Sequence, residues 1–261
     1  MRIIAGEYRR RVLETPPDAE ITRPIPDRVK ESLFMLLRGH CEGATVFDGF
    51  AGTGAIGLEA ISRGAKRCVH VEKHPAIAEI LERNILELGC GDRCDVVRGD
   101  ALGPGAIARC PRPLKLAFLD PPYPLVRELT GYRRVMAQMK ALVALLSDDG
   151  YAILRTPHPL WLEAAAPVAA APAEPIRKFK RKGNERSKWK QEVLNPRPRR
   201  TEEPPEEDVI DPTIEVEVDK TPAPEVPAQE KVLADLKIEG AIGPETHLYT
   251  NMAVHLYMRQ R

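Results

Sequence analysis

From residue 44 to residue 156, short runs of β-branched and aliphatic residues alternate with helix-length amphipathic segments. This is the pattern of repeated βα units around a parallel sheet, in which helices cover the apolar faces of the strands. The runs predict strands at 44–48, 68–72, 94–98, 115–119 and 150–155. Between them Ile56-Gly57-Leu58-Glu59-Ala60-Ile61 opens one helix, residues 76–88 form a second that Gly89 ends, and residues 135–146 form another. Residues 104–109 have room for one short helix at most.

The pattern changes on both sides of this core. Residues 1–17 alternate enough to make a hairpin arm, with Arg9, Arg10 and Arg11 as a cluster of fixed charges. Asp27 begins a helix whose sequence, Arg28-Val29-Lys30-Glu31-Ser32-Leu33-Phe34-Met35-Leu36-Leu37, places apolar groups on one side and leaves Arg28 and Lys30 on or near the other. Beyond Thr156 the chain becomes rich in Pro, Ala and charge: thirteen of its twenty-five prolines lie between Pro157 and Pro227, too many for a packed core there. Strand character returns at 232–239 and 251–258, in pieces too short for a domain, so they are expected to complete the sheet. Four segments result: an arm and helix over 1–40, a core over 41–159, a disordered insertion over 160–230 and sheet-completing strands over 231–261.

Composition sets limits on function. With 261 residues and 43% apolar content the chain supports a real core. Its apolar stretches fall short of the roughly 20 residues that span a bilayer, and Met1-Arg2-Ile3-Ile4-Ala5-Gly6 runs directly into charged residues where a signal peptide would have its apolar centre. A cytoplasmic protein with no membrane association is expected. Cys41, Cys68, Cys90, Cys94 and Cys110 lack the paired spacing of a zinc site, so they read as reduced, mostly buried thiols, and no metal is expected. The formal net charge of +1 conceals segregation: residues 177–200 hold eleven Lys or Arg against two acids, while 202–219 hold nine acids and no base. The basic half suits RNA phosphates.

The chemistry centres on Asp120-Pro121-Pro122-Tyr123, at the end of the apolar run Leu116-Ala117-Phe118-Leu119. A carboxylate and the Pro121 carbonyl can each accept one hydrogen of a planar amine, the prolines fix the backbone, and Tyr123 offers a flat face. A strand ending in a proline turn is the bland alternative. Upstream, Phe47-Asp48-Gly49-Phe50-Ala51-Gly52-Thr53-Gly54-Ala55-Ile56-Gly57 reads as strand, glycine turn and helix start, where backbone approaches a ligand closely. Gly52, Gly54 and Gly57 match G-x-G-x-x-G, which equally suits a dinucleotide, and Glu72 would grip ribose hydroxyls in either case. Asp48 separates the two: a carboxylate there repels a pyrophosphate and suits the cationic methionine portion of S-adenosylmethionine. Asp100, after Val96-Val97-Arg98-Gly99, could accept from the adenine amine or cap a helix. The glycine turn, Glu72, Asp100 and Asp120 close strands one to four, and ligands bind outside the carboxyl ends of such sheets. These residues leave the amine open among adenine, guanine and glutamine, so an adenine-N6 DNA methyltransferase or a glutamine-N5 protein methyltransferase fits as well, with a non-catalytic RNA-binding scaffold and an NAD-dependent oxidoreductase as further alternatives.

Several blocks resemble the bacterial 16S ribosomal RNA (guanine-N2)-methyltransferases of the RsmD type. They are Arg2-Ile3-Ile4-Ala5-Gly6, Thr22-Arg23-Pro24, Asp27 through Phe34, Phe50-Ala51-Gly52-Thr53-Gly54, Leu58 through Ala65, Val71-Glu72-Lys73, Gly99-Asp100-Ala101 and Asp120-Pro121-Pro122-Tyr123. The amino-terminal blocks are the specific part, because many methyltransferases share the rest. The resemblance implies a Rossmann-like class I S-adenosylmethionine-dependent methyltransferase, an α/β fold with a mostly parallel sheet and helices on both faces. It implies 16S rRNA as substrate, in the small ribosomal subunit or an assembly intermediate, and a monomer is expected. Asp120, Pro121, Pro122 and Tyr123 would then be catalytic, and Asp48, Phe50, Gly52, Thr53, Gly54, Glu72, Lys73, Asp100 and Ala101 would bind the cofactor. Arg9, Arg10, Arg11, Arg23, Arg28 and Lys30 are the candidate RNA phosphate contacts.

Overall fold

The computed structural model describes residues 1–16, 25–163 and 231–260, all within one compact unit. Arg23 and most of the expected insertion, residues 164–230, lie outside the described residues.

The core alternates as its sequence predicts: β1 (Thr45–Gly49), α2 (Gly57–Ser62), β2 (Arg67–Glu72), α3 (Pro75–Leu88), β3 (Cys94–Arg98), α4 (Pro104–Arg109), β4 (Leu114–Leu119), α5 (Tyr123–Arg127), α6 (Leu129–Leu145) and β5 (Leu146–Pro157), preceded by α1 (Asp27–Leu36). Local chemistry sets the boundaries. Pro75 occupies the first turn of α3, and Gly89 ends that helix at φ +69°, a left-handed conformation that glycine adopts without a Cβ penalty. The Glu128 side chain caps α6 by accepting from the Thr130 and Gly131 N–H groups. The short α5 was not expected from periodicity; Pro122 and Pro124 flank its first residue and fix its entry.

Among the described residues seven strands form one sheet in the order β3-β2-β1-β4-β5-β9-β8, with β8 (Ala241–Leu248) and β9 (Met252–Arg259) joining from the carboxyl end. Strands β1 to β5 pair in parallel, whereas β9 is antiparallel to both β5 and β8. Alternate residues of each central strand feed opposite faces. Val46, Leu116, Phe118 and Ile153 pack with residues of α1, α2 and α3, while Phe47, Ala117, Leu119 and Leu154 pack with α4, α5 and α6. Helices therefore cover both faces, and each fully buried Leu or Phe contributes roughly 1.5–3 kcal/mol. All five cysteines are free, four of them buried, and burial pushes the Cys41 thiol up to about 11. Among the described residues no helix is long and apolar enough to cross a membrane.

Two expectations need correction. The segment 232–239 does not complete the large sheet. Lys231–Leu233 (β7) instead pairs with Trp161–Glu163 (β6) in a separate two-stranded sheet, and β8 takes the edge position through a bulge between Ile242 and Glu245. Gly243-Pro244 reads as a turn in sequence, but a bulge on an edge strand tolerates both residues.

The second correction is Lys30, which is fully buried and so is not an RNA contact. Its Nζ donates to the Arg2 carbonyl at 2.6 Å and lies 3.4 Å from Glu59 Oε2, itself fully buried on α2. Burial pulls the ammonium pKa down, against the pull of Glu59. Glu59 also accepts from the Ile4 and Ala5 N–H groups at 2.7 and 3.1 Å, while Ser62 accepts from the Tyr8 N–H at 2.9 Å. The arm, closed on itself by Ile3 N–H to Arg11 carbonyl and Leu13 N–H to Met1 carbonyl bonds, is thus fastened to α2 by a buried ionic cluster.

Candidate active site at the carboxyl edge of the sheet

The doubly wound topology brings the carboxyl ends of β1, β2, β3 and β4 to one rim, and the polar residues expected to bind ligand lie along it. Asp48 is in β1, opposite His70 on one side and Phe118 on the other. It is 1% exposed; Oδ2 accepts from the Gly57 N–H at 2.9 Å and lies 3.4 Å from His70 Nδ1. Its other oxygen, Oδ1, is buried without a hydrogen-bond partner among the described residues. Such an orphan costs about 1–3 kcal/mol unless a ligand supplies a donor. Gly57 is held against the floor of the site, since a Cβ there would fall 2.3 Å from His70 Cε1.

The turn that follows is unusual in its backbone. Phe50 has φ +64°, a conformation costly for a non-glycine residue, and Gly52 follows at +56° with open space where a Cβ would stand. Glu72 organises this turn from the end of β2: Oε2 accepts from the Gly52 N–H at 2.9 Å and Oε1 from the His74 N–H at 2.7 Å. Thr53 and Gly54 are buried beneath it, and the Thr53 carbonyl is held by Asn84 Nδ2 at 3.0 Å. At the end of β3, Asp100 Oδ1 accepts from the Leu102 N–H at 2.9 Å and Oδ2 pairs with Arg134 at 2.8 Å. Burial opposes its charge, yet these two partners hold the Asp100 carboxyl below the usual range. Asp100 does not cap α4, whose N-cap is Gly103 without a side-chain bond; it turns the chain locally through Leu102 and presents a carboxylate at the rim. Lys73 is exposed, and Ala101 is buried with its carbonyl bound to Gln138 at 2.6 Å. A buried, cation-seeking carboxylate beside an open glycine turn and a strand-end carboxylate fits a zwitterionic nucleoside better than a diphosphate.

Asp120 follows β4, its N–H 3.4 Å from the Gly49 carbonyl, so it stands beside the Asp48 strand. Pro121 is buried, Pro122 is exposed, and Tyr123 is half-buried at the start of α5. Both Asp120 oxygens are engaged by one residue that the motif does not contain. Arg155 of β5 places Nε 2.5 Å from Oδ1 and Nη2 2.7 Å from Oδ2, with both side chains largely enclosed. Burial pushes the Asp120 carboxyl up, Arg155 pulls it down, and nearby Asp48 adds to the rise. The Arg155 guanidinium also lies 5.7 Å from the centre of the Tyr123 ring, with that of Arg127 6.0 Å from the same ring. Sequence reading missed Arg155; its only signal was a charge inside the apolar strand Tyr151-Ala152-Ile153-Leu154-Arg155.

The candidate phosphate contacts divide. Arg9, Arg10, Arg11 and Arg28 are exposed, and Arg11 donates to the Glu87 carbonyl at 3.1 Å. Lys30 is withdrawn, as described above, and Arg23 lies outside the described residues.

Comparison with known proteins adds independent findings. The model of the family described as conserved hypothetical protein 95 matches residues 1–164. Ribosomal RNA small subunit methyltransferase D of Escherichia coli K12 is 35% identical over 151 residues, 58% of this chain and 69% of that protein. The Haemophilus influenzae protein of the same name is 36% identical over 124 residues, 47% of this chain and 64% of the relative. Among solved structures, the Escherichia coli protein yhhF is similar in fold, with a TM-score of 0.58 at 21% identity, over 100% of this chain and 98% of that one.

Proposed function

From the premise that this chain belongs to the conserved hypothetical protein 95 family, the RsmD-type ribosomal RNA methyltransferases, we propose that it methylates the exocyclic N2 amine of a guanine in 16S rRNA, with S-adenosylmethionine as methyl donor. The observation that carries the reading is the pair of aspartates at adjoining strand ends. Asp48 has a buried oxygen lacking a donor, and Asp120 has its charge already balanced.

Asp48 and Glu72 would hold the donor's cationic and ribose portions, with the turn from Phe50 to Gly54 beneath it and Lys73, Asp100 and Ala101 at the adenine end. When bound, S-adenosylmethionine supplies an electrophilic methyl group. The remaining task is geometric, because the lone pair of a guanine amine is delocalised into the ring and the nitrogen must be pyramidalised to attack. Asp120 and the Pro121 carbonyl accept the two amine hydrogens, which favours that geometry, while Tyr123 stacks on the base and Pro122 fixes the turn between them. A base paired in a helix cannot reach such a pocket, so the target must be single-stranded or extruded, at a cost of a few kcal/mol. Arg9, Arg10, Arg11 and Arg28 are exposed and available to offset that cost through phosphate contacts.

The test is a comparison of 16S rRNA from cells with and without the protein, mapped for N2-methylguanine, followed by restoration with the purified enzyme on small-subunit particles. One guanine should lose its methyl group in the deleted strain and regain it in vitro. Methylation of adenine in DNA, with none on rRNA, would replace this reading with the adenine-N6 alternative.

A further inference from the structure

We infer that Arg155 is a positioning residue for methyl transfer, whose guanidinium fork holds the Asp120 carboxylate and braces the Tyr123 ring, so that one side chain orders two parts of the amine site. This rests on the reading of Asp120 and Tyr123 given above. Arg155 is the only buried arginine among the described residues, and the strand register explains how it reaches its place. Leu119 of β4 is opposite Leu154 of β5, so Asp120, the first residue past β4, comes beside Arg155, which is still within β5. On the other side Arg155 is opposite Val254 of β9, and its Nη1 lies 3.7 Å from Met252 Sδ. The arginine is therefore held from both neighbouring strands before any substrate arrives.

Its chemistry answers a problem that the site creates for itself. Asp120 is enclosed and has Asp48 as a like-charged neighbour on β1. Both conditions favour a protonated carboxyl, which would offer a hydrogen where the amine needs an acceptor. Two parallel N–H···O bonds oppose that rise, favouring the ionised carboxylate, and fix its plane, and each oxygen retains a lone pair for an incoming N–H. The other charged or titratable groups near this pair are Tyr123 and, across its ring, Arg127 of α5. A lysine supplies the charge but not the planar fork, so Arg155→Lys is a discriminating substitution.

The experiment compares Arg155→Gln, Arg155→Lys and Asp120→Ala in the full-length enzyme on small-subunit particles. It measures kcat, KM, donor affinity by calorimetry and the pH profile of kcat, all per folded molecule. Arg155→Gln should lower kcat by on the order of 10- to 100-fold, the scale of one charge-assisted pair, with KM and donor Kd within about twofold. Its acidic limb should move to higher pH, because Asp120 loses the cation that opposes the rise in its pKa; a residue that merely supports the strand would not move that limb. Arg155→Lys should be intermediate in rate with a smaller displacement, and it decides the matter if the Gln variant does not fold. Wild-type kcat and an unmoved limb in the Lys variant would overturn the inference, provided Asp120→Ala is inactive. An active Asp120→Ala enzyme would overturn the underlying functional reading instead.

Discussion

Asp48 and Asp120 stand at the ends of adjoining parallel strands, both enclosed, yet they are equipped in opposite ways. Asp48 meets one backbone N–H and a histidine ring and keeps an oxygen without a partner. Asp120 meets a guanidinium on both oxygens. On the proposed function the difference matches what each would receive. A carboxylate lacking a donor favours a ligand that brings positive charge, whereas a carboxylate already neutralised can accept from an uncharged amine without an excess of buried charge. On the proposed function, two identical side chains on neighbouring strands would divide the site into a cation end and an amine end.

Breaking the amine end should have the largest effect. Asp120→Ala is expected to lower the methylation rate by on the order of 10²- to 10³-fold, with donor affinity in calorimetry unchanged within about twofold. A parallel loss of donor binding would mean that the two aspartates share one role. Glu59 sharpens the comparison from outside the site, as a buried carboxylate paired with Lys30, with Arg63 at the end of its own helix and with the arm. Glu59→Gln leaves Lys30 enclosed without its counter-charge, so urea denaturation should show a loss of about 3 kcal/mol. Asp48→Asn should weaken donor binding by about 2 kcal/mol, roughly 30-fold, while the protein remains as stable as the parent; a calorimetric titration reads both the affinity and its salt dependence.

The smallest expected effect concerns His255, a buried polar group with no site role. Its ring lies 2.9 Å from both Thr156 Oγ1 and Thr246 Oγ1, tying β5, β9 and β8 together, and burial lowers its pKa to about 4. The folded protein holds this ring neutral where the unfolded chain binds a proton. Stability from this group is therefore full above about pH 6.5 and falls as pH drops towards 4, by about 2 kcal/mol at pH 5. Replacing His255 with Gln should remove that portion of the acid sensitivity in urea midpoints measured at pH 7 and 5.

The sheet core was legible in the sequence because its strands are buried on both faces, so that apolar runs, glycine turns and helical periods agree. The motif residues were legible because backbone geometry restricts glycine, proline and strand-end carboxylates to few arrangements. What escaped was pairing across long separations. Lys30 looks like a polar-face charge until Glu59, twenty-nine residues later, is seen to meet it inside the fold. Arg155 looks like an interruption of an apolar strand until β5 lies beside β4. The edge strand β8 was hidden by Gly243-Pro244, whose turn preference yields to pairing with β9.

The helix α2 has one further consequence, for the design of experiments on the arm. Within six residues it supplies the Gly57 N–H that holds Asp48, the Glu59 carboxylate that anchors Ile4 and Ala5, and the Ser62 hydroxyl that anchors Tyr8. A deletion of the arm would strip Glu59 of two donors and open Lys30 to water, one turn from Gly57 and the proposed donor pocket. Such a truncated protein tests the foundation of the pocket as much as any contact with RNA, and only charge-removing changes at Arg9, Arg10 and Arg11, which leave that backbone in place, separate the two.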